Sequence, residues 1–62
     1  MFVEIHSIDS EKNMIINTNF IAEIEPSPHQ GTNLWLATNA DTMRMIRTTY
    51  SLEQWYQILD AV

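Results

Sequence analysis

One stretch of this chain has a helical period. Leu52, Trp55, Ile58, Leu59 and Val62 recur at spacings of three and four, which sets them on one face of a helix. Glu53, Gln57 and Asp60 fall on the other face. Ser51 followed three residues later by Gln54 is a capping box, with Tyr50 placed ahead of it to pack on Trp55. Everything before residue 50 reads as short strands, and strands with one apolar face need a cover. The closing helix is the cover this chain offers.

In chain order, Phe2–Ile8 reads as a first strand, with Val3 and Ile5 facing one way and Glu4 and His6 the other. Asp9–Asn13 is a polar turn, in which Asn13 is the expected residue at positive φ. Residues 14–17 form a second strand. Asn17 or Thr18 is placed to cap a single helical turn. Ala22–Glu25 alternates again, with Ile24 inward and Glu23 and Glu25 outward. Pro26–Gly31 holds both prolines and the one glycine, so it is a loop. Thr32–Thr38 is a strand with Leu34 and Leu36 on one face and Trp35 on the other. Asn39-Ala40-Asp41 makes a turn, and Thr42–Thr48 pairs back. The expected fold is α+β: an antiparallel meander of four to five short strands with the C-terminal helix packed on it. The alternative is an SH3-like small barrel plus helix. Residues 1–62 make one small domain. The expected core is Val3, Ile5, Ile16, Ile24, Leu34, Leu36, Met43, Met45, Leu52, Trp55 and Leu59.

A chain of 62 residues buries a modest fraction of its surface, and without cysteine it has no disulfide to help. Tight packing or self-association must supply the difference, and we expect a homo-oligomer. The net charge of −5, with Lys12, Arg44 and Arg47 as the sole side-chain cations, argues against phosphate-rich partners. No apolar run approaches the roughly 20 residues of a membrane span. The start lacks a signal peptide's basic and apolar regions, so the expected location is cytoplasmic.

Chemistry-bearing motifs are sparse. His6 and His29 lie in different elements with no third ligand spaced for zinc, so no metal or cofactor is expected. Glu23 and Glu25 share a strand face, which an ordinary solvated strand explains far better than acid–base catalysis does. No nucleophile motif or phosphate loop is present, and we expect no enzyme. Trp35 is the residue of interest. It alternates away from Leu34 and Leu36, and with Arg44, Ile46 and Phe2 it would form an outer patch that binds a protein partner. An alternative is a nucleic-acid-binding barrel that uses Trp35, Arg44 and Arg47.

The order of pieces resembles the FlbD/SwrD-like small bacterial proteins. The likeness lies in Phe2-Val3-Glu4-Ile5, in Ile16-Asn17-Thr18-Asn19-Phe20-Ile21-Ala22-Glu23-Ile24-Glu25, and in the helix start Tyr50-Ser51-Leu52-Glu53-Gln54. That family usually has glycine in both hairpin turns, where this chain has Asp9–Asn13 and Asn39–Asp41. The resemblance implies a non-enzymatic accessory protein, tied to motility or to mobile elements. It assigns no catalytic residue.

Overall fold

The computed structural model describes residues 1–39 and 41–60. Ala40, in the second expected turn, and Ala61 and Val62, at the end of the expected helix stripe, lie outside the described residues. Five strands form one antiparallel sheet: β1 (Phe2–Ser7), β2 (Lys12–Asn17), β3 (Ile21–Pro26), β4 (Thr32–Ala37) and β5 (Met43–Thr48). A 3-10 turn at Thr18–Phe20 joins β2 to β3, and α1 (Leu52–Leu59) closes the chain. This is the expected α+β class.

The strand order is β2-β1-β5-β4-β3. Consecutive strands pair except β2 and β3, which take the two edges, while β1 meets β5 at Ser7 and Thr48. That order forces curvature. Laid flat, five strands would set the edges about 19 Å apart. Four Cα steps lead from Asn17 to Ile21, about 15 Å at full stretch and less in a 3-10 turn. The sheet therefore curls enough to bring Asn17 and Ile21, at one end of the two edge strands, within reach of that turn, in the direction of the barrel alternative. Asn17 caps the connecting turn, its Oδ1 accepting from Asn19 N–H at 3.0 Å. Thr18 N–H and Oγ1 both donate to the Met1 carbonyl and tie down the start of the chain.

Inside the roll lie Ile5, Ile16, Leu34, Leu36, Ile46 and Trp55. Val3, Met14, Ile21, Ile24, Tyr50, Ile58 and Leu59 pack around them. Two expectations for β5 are overturned. Met43 and Met45 are 54% and 39% exposed, whereas Ile46 is buried. The register explains the inversion, because Leu34 faces Ile46 and Thr32 faces Thr48, and residues directly opposite share a sheet face. The first turn differs as well. Glu11 takes the positive φ of 54°, and Asn13 sits in β2, where its Oδ1 accepts from His6 Nδ1 at 2.7 Å.

The helix is held as its sequence implies. Gln54 N–H donates to Ser51 Oγ at 3.1 Å, and Ser51 N–H donates to Gln54 Oε1 at 2.7 Å. Tyr50 meets Trp55 edge to face, with ring centroids 5.4 Å apart. Beneath them is a polar knot. Trp55 Nε1 donates to Thr32 Oγ1 at 2.8 Å, and Thr32 Oγ1 donates to the Tyr50 carbonyl at 2.9 Å. The single hydroxyl proton of Thr32 is thereby used, so Thr48 Oγ1 is the donor in its 2.9 Å contact with Thr32. Replacing Thr32 with valine strands a buried indole N–H and a carbonyl. A loss of about 2–4 kcal/mol is expected by chemical denaturation. Adding Trp55→Phe should recover part of it, since the unpaired donor then disappears. A neutral Thr32→Val would mean the knot contributes nothing.

Candidate functional site

The expected patch does not assemble. Ile46 is in the core. Arg44 faces Leu36 across the ladder, so it lies on the side of the sheet opposite to Trp35, exposed at the end of β5. Phe2 is 72% exposed on the outer face of β1, but it sits at the far end of that strand from the Ser7–Thr48 pair, and Trp35 lies on the other side of that pair. Trp35 itself is half-buried between Glu23 of β3 and Met45 of β5. Its Nε1 donates to Glu25 Oε1 at 3.2 Å. Arg47 is paired with Asp9 at 3.0 Å. Trp35, Arg44 and Arg47 thus form no common stacking platform. Glu23 and Glu25 do share the outer face, with Glu25 engaged as an acceptor.

The structure brings a different set together. Ile21, Ala22, Glu23 and Ile24 of β3 face Leu52, Trp55, Tyr56 and Leu59 of α1 across a groove of about 330 Å³. Both walls follow from sequence. The helical stripe carries more apolar side chains than the narrow rolled sheet covers, so Leu52 and Leu59 stay half-buried at its margin and Tyr56 stays 52% exposed. On the other wall, β3 is an edge strand paired on one side by β4 alone.

The backbone of that edge is open at a defined place. Ser27 N–H donates to the Gly31 carbonyl at 3.1 Å, continuing the β3–β4 ladder as a hydrogen-bonded pair. Pairs alternate in an antiparallel ladder, so Glu25–Asn33 and Glu23–Trp35 are bonded pairs, and Ile24 and Pro26 are not. Ile24 therefore turns its N–H and C=O outward. Pro26, which has no N–H, occupies the position where none is needed. Ala22 is a bulge, the extra residue between Ile21–Leu36 and Glu23–Trp35.

Two other features stand apart. Glu4, Ile5, His6, Asn13, Thr49 and Tyr50 line a small polar notch of about 180 Å³ where β1 diverges from β5. Phe2 and Ile15, 72% and 69% exposed, share the outer face of the β1–β2 hairpin on a diagonal. Among the described residues no helix is long and apolar enough to cross a membrane.

No family model, curated protein or solved structure matches this chain.

Proposed function

We propose that this protein is a small non-enzymatic binding module that holds a protein partner in the groove between β3 and α1, in an accessory role of the kind the FlbD/SwrD-like pattern implies. The observation that supports it most is the junction of an apolar groove with an unpaired strand edge. An extended segment can add to such an edge through main-chain hydrogen bonds while its alternate side chains enter the adjoining groove. A groove of this size sits at the small end of ligand pockets and takes a few aliphatic side chains. The test places a photo-crosslinking amino acid at Tyr56, on the groove, and in parallel at Asn19, on the connecting turn. Position 56 should give one discrete adduct, and that protein, purified, should bind the chain and lose binding to Leu59→Asp. Identical adduct patterns from both positions would overturn the assignment.

Self-association is a second reading, favoured by the exposed Phe2 and Ile15 on one hairpin face. Light scattering should show an oligomer that Ile15→Lys converts to monomer without loss of folding. A parent chain that stays monomeric at high concentration would remove it.

A further inference from the structure

From the groove assignment, on which this inference rests, we infer that the occupant is an extended protein segment that adds to β3 as a sixth strand and alternates apolar with basic residues. Strand addition follows from the open Ile24 amide and carbonyl, which supply a bonding step to an incoming backbone. The alternation follows from face geometry. A residue opposite Ile24 shares its inward face and enters the groove beside Leu52, Trp55 and Leu59. The residues before and after it lie opposite Glu23 and Glu25, on the outer face.

Charge selects the occupant. The β3 wall carries Glu23 and Glu25, and neither β3 nor α1 contains a lysine or arginine. The side-chain cations are elsewhere: Lys12 on β2, and Arg44 and Arg47 on β5, the last already paired with Asp9. An acidic incoming strand would stand against like charge at each outward position, and a basic one against opposite charge. The bulge at Ala22 and the proline at 26 confine pairing to the short step around Ile24. These same features protect the edge from indiscriminate pairing, and so narrow what can add to it.

The test titrates the full chain with a synthetic peptide alternating leucine or valine with lysine, followed by amide chemical shifts. A second peptide carries glutamate for lysine. A third is the basic peptide N-methylated at the amides that face β3. The basic peptide should shift Ala22, Ile24 and Tyr56. The acidic one should bind about tenfold more weakly at low salt, with the gap closing as salt rises. N-methylation should cost about tenfold, the worth of one or two net hydrogen bonds. Glu23→Gln should reduce the preference for the basic peptide by about two- to fivefold. Equal binding of the methylated peptide would overturn strand addition while leaving the groove as a docking site. Equal binding of the acidic peptide would overturn the charge rule. A groove filled by a second copy, seen as a dimer that peptide does not displace, would overturn the occupant. No groove shift with any peptide, together with indistinguishable crosslinks from positions 56 and 19, would remove both this inference and the site beneath it.

Discussion

Replacing Trp55 with alanine should unfold this protein. Trp55 is 1% exposed, and it is the one side chain of α1 that is fully in the core. Large-to-small changes at such a site cost about 3–5 kcal/mol. A domain of 62 residues holds roughly 0.05–0.15 kcal/mol of stability per residue, so the loss takes from about a third to all of it. Alanine also removes the donor that Thr32 accepts from and the ring that Tyr50 packs on. Thermal and urea unfolding should show a transition lowered by about 12 °C or more, or no cooperative transition. Trp55→Phe keeps most of the volume and should cost less. An alanine variant that melts within a few degrees of the parent would mean the helix does not roof the sheet.

The second large effect is expected at Gly31. Its φ is +78°, a region that costs a side-chain-bearing residue about 1–2 kcal/mol. The stronger constraint is contact. A Cβ on Gly31 would run into the carbonyl oxygen of Thr48 and crowd the Thr49 backbone. Neither atom belongs to a flexible side chain, and Thr48 is locked by its pairing with Thr32. Gly31→Ala should therefore cost about 2–5 kcal/mol, strain and overpacking together. Asparagine separates the two causes. It tolerates positive φ, but it carries the same Cβ, so Gly31→Asn should be nearly as harmful as alanine. Recovery with asparagine would show that conformation alone matters there.

How much of this was legible beforehand differs by element. The helix, its capping box and the Tyr50–Trp55 contact depend on residues a few positions apart, and local pattern is enough to find them. The Asn17-capped turn is legible for the same reason. The β5 phase is not. Met43-Arg44-Met45-Ile46-Arg47-Thr48 offers apolar residues on both faces, and an alternation rule favours the two methionines. The deciding fact is long-range: Thr48 pairs with buried Thr32, which carries Ile46 inward with it. A pair of buried threonines looks polar in sequence and is core here because Trp55 and the Tyr50 carbonyl satisfy it. Once β5 is turned over, Arg44 leaves Trp35, Ile46 leaves the surface, and the expected patch comes apart.

The groove was beyond local pattern for a related reason. Ile24 inward and Glu23 and Glu25 outward are visible in the alternation. That β3 is an edge is not, because consecutive strands usually pair, and β2 and β3 here take opposite ends of the sheet. The one hint in the sequence is Pro26, a residue that a strand tolerates at its edge.

Amide hydrogen exchange read residue by residue on the free chain tests the open edge most directly. The amides of Glu23 and Glu25 should exchange slowly, being bonded to β4, while the Ile24 amide between them exchanges fast and slows when the crosslinked partner or the basic peptide is bound. An Ile24 amide as protected as its neighbours in the free chain would mean that the edge is already occupied, and that no incoming strand docks there.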